Sequence, residues 1–141
     1  MIPDPCSRSS VARFVDGVGG GVVATVASDG SPEAAFVGLA ALDDGTLIFN
    51  TSASARKVGN VRVRPRVAIV VTDEQEVSVQ LEGEARISEG DDREQHGRAY
   101  QRRFPGSRAL DDGFFVIAVR LDWVRVYDAS RRPADVREAR W

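Results

Sequence analysis

The sequence is poor in the side chains that most often bind metals or carry covalent catalysis. Among 141 residues there is one cysteine, Cys6, and one histidine, His96. A single cysteine cannot form an internal disulfide, which fits a reducing cytoplasm, and the two residues cannot supply a Cys/His metal site. His96 lies among charged neighbours and is predicted to be a surface side chain. If the chain is an enzyme, its chemistry therefore belongs to a bound cofactor.

Long apolar runs and a strong charge of one sign are also missing. No stretch approaches the ~20 apolar residues that cross a bilayer, and the N-terminus has neither the basic start nor the apolar segment of a secretory signal. We therefore expect a cytoplasmic protein with no membrane partner. The formal net charge of -2 argues against a nucleic-acid partner as well.

Length and composition predict one domain that spans residues 1–141. The chain has 43% hydrophobic and 28% charged residues, the balance of a globular protein. A chain of this length buries roughly two-thirds of its unfolded surface. We expect the core within about residues 11–128. Residues 129–141 show no strong period and are interpreted as a C-terminal tail.

Turn signals between short apolar segments predict a mainly antiparallel sheet with two or three helices. The helices are expected at residues 7–18, 55–63 and 91–104. The strands are expected at residues 22–27, 32–42, 46–51, 66–72, 77–87, 114–121 and 123–127. Six or seven strands with short connections predict a β-barrel-like domain of the α+β class. The strand at 66–72 is continuously apolar, which favours burial on both of its faces.

Acidic residues are absent from one long segment of this acidic protein. Of the 19 basic residues, 18 are arginine, and Lys57 is the only lysine. Residues 45–72 contain no Asp or Glu. The same segment holds five cations: Arg56, Lys57, Arg62, Arg64 and Arg66. Such a segment is predicted to be a local anion site or a partner-facing patch, and a solvated basic helix face is the alternative.

The junction between the third strand and its helix has the chemistry of a phosphate site. Thr51 and Ser52 can donate hydroxyl hydrogen bonds, and a helix N-terminus offers free N–H groups and a positive dipole end. Arg56 can bind two phosphate oxygens as a fork, and Lys57 adds a compact charge. The alternative is that Ser52 and Ser54 only cap the helix while the cations face water.

Four segments in this order resemble a known family. They are VVATVASDGSP (22–32), LIFNT (47–51) followed by SARK (54–57) and Asn60, PRVAIV (65–70) and VSVQLEGEA (77–85). Over roughly residues 11–128 the sequence resembles the pyridoxamine 5'-phosphate oxidase-like flavoproteins, the FMN-binding split barrels. The resemblance implies a homodimer of split β-barrels with FMN in a cleft between the subunits.

The resemblance also implies roles for individual residues. Four residues would bind the FMN phosphate: Arg56, Lys57, Thr51 and Ser52. Five residues would contact the isoalloxazine ring or the ribityl chain: Phe49, Asn50, Gln80, Val37 and Gly38. Phe49 and Asn50 would do so partly through backbone groups. No catalytic residue is assigned.

The expected activity is that of an FMN-dependent oxidoreductase acting on an unknown small molecule. The true pyridoxamine phosphate oxidases have a longer C-terminal region with an Arg/His substrate signature, which this sequence lacks, so we do not expect that substrate. One alternative is an F420-dependent reductase on the same fold, with Arg62, Arg64 or the Arg131-Arg132 pair binding the charged cofactor tail. A second alternative is a non-catalytic flavin- or haem-binding or stress protein.

A homodimer is also suggested by apolar side chains that one small barrel would leave uncovered. These belong to the strand at 67–71 and to three aromatic residues near the end of the chain, Phe114, Phe115 and Trp123.

Overall fold

A strongly curved antiparallel sheet and three helices make up the chain, and the computed structural model describes all of residues 1–141. The helices are α1 (Arg8–Val18), α2 (Arg56–Val63) and α3 (Gly90–Arg103). The strands are β1 (Gly20–Val26), β2 (Pro32–Gly38), β3 (Ala40–Ala41), β4 (Leu47–Ser52), β5 (Arg66–Thr72), β6 (Val77–Ile87), β7 (Phe114–Asp128) and β8 (Asp135–Arg140). Their order is β2-β1-β5-β6-β7-β4-β3, and β8 pairs with β7. The predicted α+β split barrel is confirmed.

The core fills the inside of the curved sheet because apolar side chains alternate along the strands. On β6, Val77, Val79 and Leu81 are buried while the polar residues between them face outward. Helix α1 closes one end and adds Val11 and Val15 to the same core. Each such buried side chain contributes roughly 1.5–3 kcal/mol to folding. None of the three helices is long and apolar enough to span a bilayer.

The barrel is split because the predicted strand at 32–42 divides in two. Leu39 is fully buried and donates its backbone N–H to the Gly19 carbonyl at 3.2 Å, which turns the chain inward. Strand β2 then pairs only with β1, and β3 pairs with β4. The free edge of β2 and the end of β4 therefore border an opening instead of pairing with each other.

Strand β7 is one long strand where the sequence predicted two. Asp122 interrupts the pairing with β6, where the register shifts between Glu82 and Gly83. Glycine is required at 83 because an added Cβ would collide with the Arg120 carbonyl. The bulge bends the strand without ending it, and the pairing continues to Asp128.

Residues 129–141 are not a loose tail. Strand β8 pairs with β7 along its length. Trp141 donates its backbone N–H to the Asp122 carbonyl at 3.0 Å and its indole N–H to the Pro5 carbonyl at 2.8 Å. The Arg8 guanidinium lies 4.6 Å from the centre of the Trp141 ring. These contacts tie the end of the chain to β7, to the segment before α1 and to the first residue of α1.

Two predictions of burial were wrong. His96 is 5% exposed, not a surface residue, and its Nδ1 shares a 2.8 Å hydrogen bond with the buried Ser88 hydroxyl. Strand β5 is buried on one face only, since Ala68 is exposed and Val70 is half-buried. The sequence did not reveal these environments because both depend on which elements pack across the sheet.

Candidate functional site

A small cleft lies where the opening of the barrel meets the start of α2. Its volume is about 150 Å³. It is lined by residues of β1, β2 and the first turn of α2: Val23, Thr25, Glu33, Ala34, Ala35, Arg56 and Lys57. We call it the β2–α2 cleft. The two cations that the sequence singled out therefore face a cavity together.

Lys57 connects the cleft to the last part of β4. Its Nζ donates to the Thr51 hydroxyl oxygen at 3.5 Å, and Thr51 is 8% exposed. Helix α2 begins next to this pair, and no side chain caps its first turn. An anion here would meet a hydroxyl, an ammonium and the positive end of a helix.

The serines of the junction do not act as predicted for a cap. The N-cap position is Ala55, and Ser54 makes no cap hydrogen bond to α2. Instead the Ser52 and Ser54 hydroxyls lie 3.0 Å apart, and the Ser54 backbone N–H points to the Ser52 hydroxyl at 3.4 Å. The Ser52 and Ser54 hydroxyls therefore form hydrogen bonds within this local turn, and no side chain caps the first N–H groups of α2.

An acidic side chain reaches into the cleft from outside the acid-free segment. Glu33 on β2 forms an ion pair with Arg56 at 2.8 Å, and its other oxygen accepts from the Asn60 side-chain amide at 2.7 Å. The same amide donates to the Thr25 hydroxyl at 2.9 Å. One carboxylate among two cations leaves one net positive charge at the cleft.

The predicted ring-contact residues do not all face this cleft. Phe49 is fully buried in the core, so only its backbone is available to a ligand, whereas Asn50 is half-buried at the end of β4. Val37 packs partly on the core, and Gly38 accepts a hydrogen bond from the Tyr100 hydroxyl at 3.2 Å. Gln80 is exposed on the convex side of β6, the face opposite the core.

The convex side of the sheet carries an apolar surface that surrounds Gln80. A cavity of about 260 Å³ on this side is lined by side chains of β1, β5, β6 and β7, including Val22, Ala68, Val70 and Trp123. We call this surface the outer face. Phe36, next to Val22 in the β1–β2 register, is 74% exposed.

Arg125 adds an unsatisfied polar group to the outer face. It pairs with Gln80 in the β6–β7 register. Its Nε is buried and has no hydrogen-bond partner within the chain. This nitrogen is the one buried side-chain polar atom of the chain without a hydrogen-bond partner, which is rare for a buried donor.

The other predicted cations lie apart from the cleft or are engaged elsewhere. Arg64 donates to the Ala27 carbonyl at 2.8 Å, and the Arg62 guanidinium lies 5.4 Å from the centre of the Phe115 ring. Arg131 pairs with Asp128 at 3.3 Å. Phe114 and Phe115 are half-buried under arginines and do not join the outer face.

The sequence analysis did not assign as site residues Thr25 and Glu33, which line the cleft, or Asn60, which donates to both of them. A signal for the first two was present, because the Asp-Gly turn of the first hairpin fixes the register that places Thr25 opposite Glu33. Thr25 is also a polar residue at an inward position of β1. The role of Asn60 needs the packing of α2 on β1, which no local pattern reports.

Solved structures with the same fold come from several bacteria. A haem-binding protein from Mycobacterium smegmatis has a TM-score of 0.75 and 25% identity, and the match covers 93% of this chain but 57% of that one. General Stress Protein 26 from Bacillus anthracis has a TM-score of 0.74 and 20% identity over 95% of this chain and 98% of that one. This chain thus spans little more than half the length of the haem-binding protein.

A third similar structure is a pyridoxamine 5'-phosphate oxidase-related, FMN-binding protein from Nostoc punctiforme. Its TM-score is 0.65 with 14% identity, and the match covers 92% of each chain. No curated protein matches the sequence. The family model described as pyridoxamine 5'-phosphate oxidase matches residues 9–128. Since that match covers most of the sequence, the chain belongs to the pyridoxamine 5'-phosphate oxidase family.

Proposed function

We propose that this protein binds FMN through the β2–α2 cleft and uses it for redox chemistry on a small molecule. The observation that carries the proposal is the convergence of Arg56, Lys57 and the Thr51 hydroxyl at the uncapped start of α2. Guanidinium, ammonium, hydroxyl and helix N–H groups are the donors that bind phosphate esters. Membership of the family and the fold shared with an FMN-binding protein support the flavin as the rest of the ligand.

The cleft is the right size for a phosphate and too small for a whole flavin. Ligand pockets for cofactor-sized molecules measure roughly 300–1,000 Å³, whereas this one measures about 150 Å³. The ring must therefore lie outside the cleft, along the opening beside β2 and the end of β4. Asn50, Val37 and Gly38 border that opening and remain our candidates for ring contacts.

We propose that a second copy of the chain completes the site as a homodimer. Gln80 and Lys57 lie on opposite sides of the sheet, so a single chain cannot bring both to one flavin. The outer face offers apolar surface for the second copy to cover. Gln80 of one copy would then contact a flavin held by Lys57 of the other.

In the bound state FMN would supply the hydride or electron transfer. The contribution of the protein is binding and orientation. Arg56 and Lys57 fix the phosphate end, the β2 edge lies along the ring, and the second copy keeps water from the reacting face.

Haem and F420 are less well supported by the geometry. The fold is shared with a haem-binding protein, but His96, the only histidine, is buried and hydrogen-bonded to Ser88 instead of facing a cavity. Three of the four cations proposed for an F420 tail are engaged elsewhere: Arg64 with a backbone carbonyl, Arg62 with an aromatic ring and Arg131 with Asp128.

A fluorescence titration with FMN tests the proposal. We expect the purified protein to bind FMN and to show its visible spectrum, and Lys57→Ala to weaken binding by about 10–100-fold, since a charge-assisted contact is worth roughly 1.5–3 kcal/mol. Arg132→Ala, an exposed cation far from α2, is the matched control and should bind like the wild type. A protein that ignores added FMN, or equal affinities for all three proteins, would contradict the proposal.

A further inference from the structure

One carboxylate enters the β2–α2 cleft, and its contacts show that it is built into the site. The Glu33 side chain is 19% exposed. One carboxylate oxygen lies 2.8 Å from an Arg56 terminal nitrogen, and the other accepts from the Asn60 amide at 2.7 Å. Because Glu33 lines the same cavity as Arg56 and Lys57, a phosphate that enters meets a negative charge beside the two positive ones.

Glu33 is held more firmly than its arginine partner. The Asn60 amide nitrogen has two hydrogens, and it donates to both Glu33 and the Thr25 hydroxyl. Thr25 in turn lies directly opposite Glu33 in the β1–β2 register. Arg56, by contrast, is 80% exposed and has no other ion pair. When an anion binds, the arginine is free to move and the carboxylate stays in place.

We propose that Glu33 selects ligands by charge, because its carboxylate competes with the ligand phosphate for Arg56. The inference rests on the proposed function, since it requires that the phosphate binds in this cleft. Repulsion between a fixed carboxylate and a phosphate scales with the charge of the phosphate. A doubly charged phosphate monoester is therefore penalised about twice as much as a singly charged phosphate diester, and neutral ligands are not penalised.

The opposite role would be that Glu33 orients Arg56 and so improves phosphate binding. That role requires the ion pair to order the arginine side chain. The ion pair orders the exposed Arg56 side chain only weakly, because solvent screens the attraction and the long side chain retains its conformational entropy. The repulsion acts in a partly desolvated cavity and outweighs this gain.

The variant Glu33→Gln separates charge from shape. It removes the negative charge and keeps a side-chain oxygen that can accept from Asn60.

The experiment titrates FMN and riboflavin, which share the ring and differ in the phosphate, into both proteins at pH 8 and low salt. The ratio of the riboflavin to the FMN dissociation constant measures the contribution of the phosphate. We expect this ratio to rise on the order of tenfold in Glu33→Gln, with riboflavin affinity unchanged.

Two controls identify the cause of a change. Glu74→Gln removes the same charge from an exposed position in the turn between β5 and β6, and it should leave the ratio unchanged. In an Arg56→Ala background the direct repulsion between Glu33 and the phosphate remains and the competition for Arg56 is gone, so Glu33→Gln should still raise the ratio, but by less than it does in the wild-type background.

The outcomes separate the two claims. An unchanged or lower ratio in Glu33→Gln overturns the role of Glu33 while the proposed function stands. An equal rise in Glu74→Gln, or an undiminished effect in the Arg56→Ala background, also overturns it. If neither wild type nor Glu33→Gln binds FMN more tightly than riboflavin, the phosphate does not bind here and the proposed function fails as well.

Discussion

At the scale of single residues, Arg56 and Lys57 do different work in the cleft. Lys57 is half-buried, and its compact ammonium donates to the Thr51 hydroxyl. Arg56 is exposed, and its long side chain can close over an anion from the solvent side. The two cations therefore approach the cleft from different environments, one half-buried and one exposed.

His96 gives a residue-scale prediction about pH. Burial lowers the pKa of His96, the Asp92 and Asp44 carboxylates oppose this, and Arg86 reinforces it. The folded state therefore favours the neutral imidazole, and the unfolded chain binds the proton more readily. The stability that His96 contributes is complete above about pH 6.5, the unfolded value, and is lost as the pH falls below it.

Urea unfolding at pH 8 and pH 5.5 measures this dependence. His96→Gln should lose about 1–3 kcal/mol at pH 8, where the buried hydrogen bond to Ser88 is removed. It should show a smaller loss between the two pH values than the wild type does. Equal pH dependence of both proteins would mean that His96 does not carry it.

At the scale of elements, the fold was predicted best where one face of a strand is buried. Strands β5 and β6 begin and end at the predicted residues because their turns are polar and their inward positions are apolar. Strand β8 was missed because four of its six residues are exposed and none is buried, so no apolar period marks it. Glu33 was missed as a site residue because a count of charges along one segment ignores side chains that arrive from a neighbouring strand.

Two glycines give a matched prediction at this scale. Gly83→Ala should destabilise the protein by roughly 2–3 kcal/mol, since the added methyl meets the Arg120 backbone across the bulge. Gly59→Ala should stabilise it by about 0.5–1 kcal/mol, because Gly59 lies within α2 with open space around its Cα. Thermal unfolding measures both. Similar effects of the two substitutions would contradict the bulge geometry.

At the scale of the whole molecule, the two sides of the sheet differ in what they pack against. The concave side holds the core, and the outer face presents the apolar side chains that we propose a second copy covers. Lys57 lines the β2–α2 cleft together with the inward-facing Val23 and Thr25, on the side of the sheet opposite the outer face. Flavin binding and association are therefore coupled in this account.

Substitution on the outer face tests this coupling. Sedimentation of the wild type should give about twice the chain mass of 15.3 kDa. Val70→Glu places a charge at the centre of the outer face and should give monomers that also lose most of their FMN affinity. Glu74→Gln, away from this face, should change neither. A wild-type monomer that still binds FMN would contradict the dimeric site.

The central claim is that the phosphate of FMN binds at the start of α2. A crystal structure of the protein grown with FMN tests it most directly. The account predicts phosphate density within hydrogen-bond distance of Lys57 Nζ, with the Arg56 guanidinium closed over it. Phosphate density at any other place, with both side chains in open solvent, would contradict the account.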